Sequence, residues 1–595
     1  MLNNMPRSGL FCWALLVLLP FPADSATLSP CSQGARSGLP CELTFEWQPG
    51  GADGAAAPYK NELLNVEFRS PRGSTYLMHE FWDGGNALRV RFSPTEAGTW
   101  NFKVVSSLER YNNQVGTFSA AETSEAGLVT VANIRHWRTI NKKPHLWLAA
   151  GVPFLDLDQA AFETWLDARK QDGFTHIRGT LLTARLANKP LSADFQPNSA
   201  YFSTLDDRIL AAANRGFTLD LILADDSFLR SGILSQRGQL DPLVRHLVAR
   251  YGGLNVTWQG IEHFEDIAGS RALLKELGLL LKRYDGFQHP RSSDARVTSS
   301  PLVSDGWMHF MIEASPHPEL GAVEHQFNEQ PEIHVIEATD PGAFRHELWN
   351  ATTNGEYPSV SYRSLQNEAN AKAIKAWLGV MTGTRHWELE PFFDVSGARA
   401  VGLNEVEYLA YAEKPGIVEI ELPRHKYNPS WINPATGEEI PLKNYRGETF
   451  SRTTPDNERD WVLQVPRDGL KESMARYYYF ESQDPPVQEV ETDPAKAPFA
   501  IVDPPGDNLN PNIPTPFKLK VVRANRASRS MQYVWWGEMV PGTEGARVLG
   551  FGESSTFTVP KELMSAPGAA LTVRVFAINT NGKAYEVDKV FHLLP

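Results

Sequence analysis

Hydrophobic and polar positions follow different rules in successive stretches of the chain. From about Leu43 to Val131 they alternate at period two, as in Val66-Glu67-Phe68, Arg89-Val90-Arg91-Phe92 and Trp100-Asn101-Phe102-Lys103-Val104, in runs broken by Gly, Pro and Asn. Period two puts successive side chains on opposite faces of a strand, which predicts a β-sandwich. From about His136 to Arg385 short apolar runs alternate with segments whose apolar residues recur three and four apart. The runs are His145–Ala150, Thr175–Leu181, Thr218–Leu223, Asn255–Ile261, Ala295–Ser300, His309–Ala314, Ile333–Glu337 and Pro358–Tyr362. Between them Ala160–Gln171, Leu205–Asn214, Asp241–Tyr251 and Ala272–Tyr284 read as amphipathic helices, with Asp158 and Asp241 as N-caps and Gly173 and Gly252 as stops. Strands alternating with helices over about 250 residues predict a (β/α)8 barrel, and no glycine-rich nucleotide loop follows a strand to favour an open sheet.

After Trp387 alternation returns in Val401–Leu403, Glu407–Ala412, Ile417–Leu422 and Trp461–Val465, with Ile432 to Gly437 as a turn. Prolines then crowd Asp484 to Pro516, too densely for helix or central strand, so an extended spacer is expected there. The fold class is therefore multidomain, a central (β/α)8 TIM barrel flanked by all-β sandwiches. Its expected parts are a signal peptide (1–25), an N-terminal β-sandwich (27–135), the barrel (136–387), a β-sandwich (388–483), the linker (484–516) and an Ig-like β-sandwich (517–595).

Length agrees, because 595 residues exceed what one hydrophobic core organises. A net charge of −13 without a Lys/Arg block argues against nucleic acid or an anionic membrane as partner. Arg7, the apolar stretch Leu10 to Phe21 and the small-residue pattern at Ala23-Asp24-Ser25 read as a secretory signal. The apolar stretch is about half of the roughly 20 residues a spanning helix needs, so a secreted or periplasmic location without membrane insertion is expected. Cys12 leaves with the signal; Cys31 and Cys41 either pair or stay as thiols, and the sequence leaves both open.

Two glutamates carry the candidate chemistry. Glu262 closes the fourth strand-like run and Glu337 the seventh. In a parallel barrel the carboxyl ends of the strands surround one pocket, so both acids face it. A pair of carboxyls is what glycosidic cleavage needs: one protonates the leaving oxygen, the other attacks the anomeric carbon or activates water. Glu265 and Asp266 could stand in for Glu262, and Glu337 could instead cap a helix before Asp340. Glu313 ends the sixth run in the same manner and Asp225-Asp226 end the third, so Glu313 and Asp225 are candidate substrate ligands. Arg178 is a third by its donor fork, and Trp258 and Trp387 are two more by their ring faces, although barrel packing would equally use both tryptophans. His176, His317, His325 and His334 lie near strand ends, but no pair has i, i+4 spacing beside an acid, so no metal is expected.

The stretch Tyr251-Gly252-Gly253-Leu254-Asn255-Val256-Thr257-Trp258-Gln259 through Glu262, followed by Lys282-Arg283-Tyr284-Asp285-Gly286-Phe287-Gln288-His289-Pro290, resembles the apiosidase-like barrel family of secreted bacterial glycosidases. Phe81-Trp82-Asp83-Gly84-Gly85, Arg91-Phe92-Ser93-Pro94 and Gly98-Thr99-Trp100 resemble the sandwich that precedes such barrels. Trp431-Ile432-Asn433-Pro434 with Thr436-Gly437-Glu438 resembles the small sandwich that follows them, of a type labelled collagen-binding, although nothing in its residues indicates collagen. The resemblance spans roughly residues 40 to 482 and leaves the last module unexplained. It implies a glycoside hydrolase acting on a polysaccharide or oligosaccharide with retention, Glu262 as acid/base and Glu337 as nucleophile, and no cofactor. One position departs from the family. Asn usually precedes the acid/base, where its amide can bind the sugar's 2-hydroxyl, and here the residue is Ile261, with Gln259 or His263 as substitutes. A carbohydrate-binding protein on a glycosidase scaffold is the competing expectation.

Overall fold

The computed structural model describes residues 27–28, 34–48, 58–123, 127–231, 236–267, 269–469, 489–522, 531–538, 547–559 and 570–594. The expected signal, Cys12 and Cys31 lie outside them. Cys41 is disulfide-bonded. Among the described residues no helix is long and apolar enough to cross a membrane.

The middle of the chain is an eight-stranded parallel sheet wrapped by helices. Its strands are β1 (Ala149–Gly151), β2 (His176–Leu182), β3 (Thr218–Ala224), β4 (Val256–Ile261), β5 (Arg291–Ser292), β6 (Met311–Glu313), β7 (Glu332–Ile336) and β8 (Tyr357–Val360). Ladders run β5-β4-β3-β2-β1-β8-β7-β6, with Ala149 opposite His176 on one side and Ser359 on the other. β3 and β4 are buried along their whole length, as expected of strands covered on both faces.

The seam falls between β5 and β6, where the expected fifth strand is corrected. Ala295–Ser300 is a bent loop that enters a short helix at Ser300, and it meets β6 in antiparallel sense: Thr298 bridges Glu313, Ala314 N–H donates to the Val297 carbonyl (2.9 Å) and Ser299 N–H to the Ile312 carbonyl (2.8 Å). The fifth barrel strand is the two-residue Arg291–Ser292, which directly follows Pro290 and is too short to show a period. Asp158 caps its helix by accepting from Ala161 N–H, but Asp241 lies within helix Leu240–Tyr251, whose N-cap is Gln239.

The N-terminal module is a four-stranded and a five-stranded sheet packed around Phe68, Phe92, Trp100 and Phe118. It is joined to the barrel by buried charge. Arg91 donates to Asp206 Oδ2 (2.8 Å) and to the Arg250 carbonyl (2.6 Å). Arg250 donates to Asp206 Oδ1 (2.8 Å) and Asp83 Oδ1 (2.6 Å), with its guanidinium over the Phe81 ring. Gly253 permits this contact, since a Cβ there would stand 2.1 Å from the Arg91 carbonyl oxygen.

Beyond the barrel, Glu390 to Pro466 forms a six-stranded and a three-stranded sheet. The last module begins earlier than expected. Val490–Glu491, Phe499–Asp503, Asn508–Leu509 and Thr515–Val521 are strands inside or overlapping the proline-rich stretch, so much of that stretch is module rather than spacer. Pro494, Pro498, Pro504, Pro505, Pro511 and Pro514 lie between these strands, and Pro516 stands near the start of Thr515–Val521. Trp535 is sealed in the module core, while Trp536 lines a cavity of about 320 Å³ between this module and the barrel.

Burial makes Asp206 the keystone of the first interface. Desolvation pushes its carboxyl up, yet Arg91 and Arg250 together hold it below the ordinary range. Asp206→Ala leaves two buried guanidinium groups without their shared anion and is expected to cost about 3–5 kcal/mol. Chemical denaturation monitored by tryptophan fluorescence reads the loss. In the parent protein the Asp206 contribution is present at neutral pH and fades as pH falls through its depressed folded-state value.

Candidate active site

The site is built at the carboxyl ends of the barrel strands. Inward-facing side chains of β2, β3 and β4 meet below it in one polar network. Arg178 pairs with Asp294 and, at 3.4 Å, with Asp220. Asp220 also accepts from Thr257 Oγ1 (2.8 Å) and from the Gln259 amide. Arg178 further contacts Gln259 Oε1 at 3.4 Å. Asp220, Thr257 and Gln259 are wholly buried and Asp294 nearly so. Burial raises the Asp220 carboxyl to about 6 despite the opposing charge of Arg178.

Asp294 joins this network to the mouth. Its Oδ2 accepts the backbone N–H of His263 at 3.1 Å. His263 has a left-handed backbone (φ 48°), uncommon for a side chain of this size, which turns the chain immediately after Glu262. Glu262 itself is half-buried, its N–H donating to the Ala224 carbonyl at 3.0 Å. Its carboxyl is raised, first by desolvation and then by Asp294, with Asp225 adding to the effect and His263 and Arg185 opposing it. Among the described residues none donates a hydrogen bond to that carboxyl.

The neighbouring acids are occupied. Glu265 accepts from the backbone N–H groups of Arg296 (2.8 Å), Val297 (3.0 Å) and Thr298 (3.2 Å). Asp266 pairs with Arg296. Asp225 caps the short helix Asp226–Leu229, accepting from Phe228 N–H (2.8 Å) and Ser227 Oγ (2.6 Å), and is reached by Arg185 at 3.3 Å. It therefore lies at the mouth as a fixed charge. Of the acids clustered after β3 and β4, Glu262 is the one without such a task.

Glu337 follows β7 on the other wall and is exposed. Glu347 on helix Pro341–Asn354 stands behind it, its carboxyl raised by burial and further by the charge of Glu337. Arg296 lies between the two walls, feeling the charge of Glu337 and standing 3.5 Å from His263 Nδ1. Tyr362, just beyond β8, is the half-buried aromatic at this end.

Three expected ligands lie elsewhere. Trp258 is wholly buried and donates from Nε1 to Asp285 Oδ2 (3.0 Å), because alternation along β4 turns it toward the helices. Glu313 is paired in β6 opposite His334, two positions before the end of β7, and faces the helix layer. Trp387 follows the last barrel helix, and the neighbouring His386 carbonyl accepts from Tyr357 at the start of β8 (3.3 Å), so the ring lies at the amino-terminal face. Arg178 is present beneath the mouth but committed to two carboxylates. Ile261 is wholly buried in the barrel core, and Gln259 is bound in the network, so of the two proposed substitutes for the family's Asn only His263 reaches the mouth. Asp294 and Asp220 were not anticipated: Asp294 follows a two-residue strand, and Asp220 is an acid within an otherwise apolar run, a signal the sequence did contain.

Comparisons with known proteins agree with this architecture. Residues 132–378 match the family described as apiosidase-like, catalytic domain, and residues 40–107 match a domain family of unknown function, DUF5060. A candidate glycoside hydrolase from Bacteroides vulgatus ATCC 8482 superposes with a TM-score of 0.62 at 16% identity, covering 73% of this chain and 99% of that one. A glycoside hydrolase family 5 protein from the same organism superposes with a TM-score of 0.50 at 16% identity, covering 61% and 97%. At that identity the likeness establishes the fold. No curated protein matches the chain.

The network predicts its own fragility. Arg178→Met leaves Asp220 and Asp294 buried without their cation, and is expected to lower stability by about 3–5 kcal/mol. A thermal melt followed by circular dichroism checks this; an unchanged midpoint would mean the two acids are satisfied by other means.

Proposed function

We propose that this chain, which carries an apiosidase-like catalytic domain on a glycoside-hydrolase barrel, is an exported enzyme that hydrolyses a glycosidic bond in a polysaccharide or oligosaccharide with retention. Glu262 acts as general acid and then general base, and Glu337 as nucleophile. The observation that carries the reading is the contrast between the acids at the mouth. Glu265, Asp266 and Asp225 are tied to donors, whereas among the described residues nothing donates to Glu262, whose carboxyl is partly desolvated and raised, which favours the protonated form that an acid needs. Glu337, exposed on the opposite wall, stays available to an anomeric carbon.

In the first half-reaction Glu262 would give its proton to the departing oxygen while a Glu337 oxygen bonds to the anomeric carbon. In the second, Glu262 would take a proton from water as that water displaces Glu337. Asp294 would sustain the first step by disfavouring the charged form of Glu262. Arg296 and His263 line the way in and supply donors for hydroxyls, and Tyr362 supplies an aromatic face.

Ile261 favours a second reading, a carbohydrate-binding protein without turnover. A buried aliphatic cannot hydrogen-bond a 2-hydroxyl, whose contact strengthens in the transition state. Assaying the purified protein on a panel of plant and microbial glycans, with glycan binding measured in parallel, separates the readings. Binding without cleavage by the parent protein supports the second.

For the enzyme, Glu262→Gln is expected to lower kcat by about 100- to 10,000-fold on natural glycosides. The deficit narrows on aryl glycosides, whose leaving groups need little protonation. Glu337→Gln abolishes turnover on both while binding persists.

Activity should fall as pH rises through the Glu262 value, since the proton donor is lost there. Because burial and Asp294 hold that value above the usual glutamate range, the alkaline limb lies correspondingly high. Asp294→Asn is expected to move it toward acid, read from kcat/KM against pH; a limb that stays in place would assign it to another group.

A further inference from the structure

Outside the mouth, β6, β7 and the residue before β8 enclose a second set of ionisable groups that the hydrolytic reading does not use. Glu313, Glu332, His334 and Glu356 point away from the barrel interior toward helices Glu319–Phe327 and Pro341–Asn354, from which Glu324 and Glu347 approach. All four inner glutamates, Glu313, Glu324, Glu332 and Glu356, are 4% exposed or less.

Protein donors do not account for them evenly. Glu324 accepts from Thr298 Oγ1 (2.8 Å and 2.9 Å) and from Ser300. Glu313 accepts from the Ser315 N–H and meets His334 Nδ1. By contrast both oxygens of Glu332 and Oε1 of Glu356 are buried with no hydrogen-bond donor. Arg399, which feels the charge of Glu356, donates instead to Asn354 Oδ1 (3.4 Å) and Gln532 Oε1 (3.2 Å). One buried imidazole, in contact with Glu313 and Glu356, is thus the sole histidine of this group of four buried carboxyls. A buried carboxylate without a counter-ion or donor is expensive, and either a bound proton or a cation relieves that cost.

We propose that Glu313, His334 and Glu356 bind a divalent transition-metal ion, zinc in the first instance, with Glu332 as the fourth ligand of a closed site. One oxygen of Glu313, one of Glu356 and one nitrogen of His334 all lie within 4.8 Å of one another. The Glu356 oxygen that lacks a donor stands 3.6 Å from His334 Nδ1, so it points at the centre of the group. Ligands around zinc bond at about 2.0–2.2 Å, which requires only a small parting of atoms already gathered. A mixed imidazole and carboxylate set in a dry pocket suits zinc or manganese better than calcium, which takes six to eight oxygens, or magnesium, which keeps its waters.

Three further features fit. Gly321 lets helix Glu319–Phe327 approach, since a Cβ there would stand 2.2 Å from Glu356 Oε2. On the far side of the ring, His334 Nε2 lies 4.0 Å from Glu347 Oε2, the outer carboxylate that orients a metal-binding histidine. The cavity of about 320 Å³ against the last module is lined by Glu324 and offers the way in.

The test is elemental analysis of tag-free full-length protein, purified without chelator and dialysed against zinc or manganese before desalting. About one ion per chain is expected, with a thermal midpoint that falls on removal by a strong chelator and recovers with zinc. His334→Gln and Glu356→Gln lose the ion while retaining the circular dichroism of the parent. Should those variants fail to fold, anomalous scattering at the zinc edge from crystals of the parent protein decides: a peak between His334 and Glu356 supports the site. Absence of a stoichiometric ion after dialysis, or an ion located elsewhere, overturns it, leaving carboxyl groups that share protons. This result is independent of whether the mouth hydrolyses a glycan.

Discussion

A single guanidinium, shared between two buried carboxylates, holds the floor of the barrel mouth. Arg178 reaches Asp220 on β3 and Asp294 after β5, and thereby ties three strands of the barrel together below Glu262. Placing charges in the barrel interior is costly unless each is paired, and here the pairing is completed by Thr257 and Gln259. Asp294 is thus fixed by one partner below and in turn fixes the His263 N–H above. The left-handed turn at His263 follows, and with it the direction in which Glu262 leaves its strand. The network thus contributes to both the placement of Glu262 and, through Asp294 and after desolvation, its raised carboxyl.

The two walls of the mouth are held by different means. On the β4 side, polarity is concentrated: Glu265 and Asp266 anchor the segment from Arg296 to Thr298, and that segment runs antiparallel to β6 and completes the barrel's seam. On the β7 side, Glu347 approaches from the helix layer, where it feels the charge of Glu337 and stands 4.0 Å from the imidazole of His334. The N-terminal module adds a third constraint through Arg91, Asp206 and Arg250, gripping the helices that flank β3 and β4. Surface modules are thereby coupled to the frame of the site rather than to its chemistry.

Much of this was legible in the sequence because the relevant signals are periodic. Seven of the eight barrel strands overlap the runs read from alternation, since burial on both faces forces continuous apolar residues there. The fifth escaped because two residues after a proline carry no period, and the apolar run beyond it was mistaken for the strand. That error hid Asp294, whose importance depends on where β5 ends. Trp258 and Trp387 illustrate another limit: a ring suits a sugar face or a core equally, and only strand parity and helix direction separate the two. The carboxyl group of Glu313 looked like that of Glu262 because strand ends were read without register. Pairing with His334 sets Glu313 level with a position two residues before the end of β7, on the outer side.

The central claim is that Glu262 and Glu337 act on one acetal from opposite walls through a covalent intermediate. Proton NMR of the first product released from a glycoside that the protein cleaves tests it most directly. The account predicts that the new hemiacetal appears first in the anomeric configuration of the substrate and only later mutarotates. First appearance of the opposite anomer would contradict it, showing that water rather than Glu337 attacks the anomeric carbon.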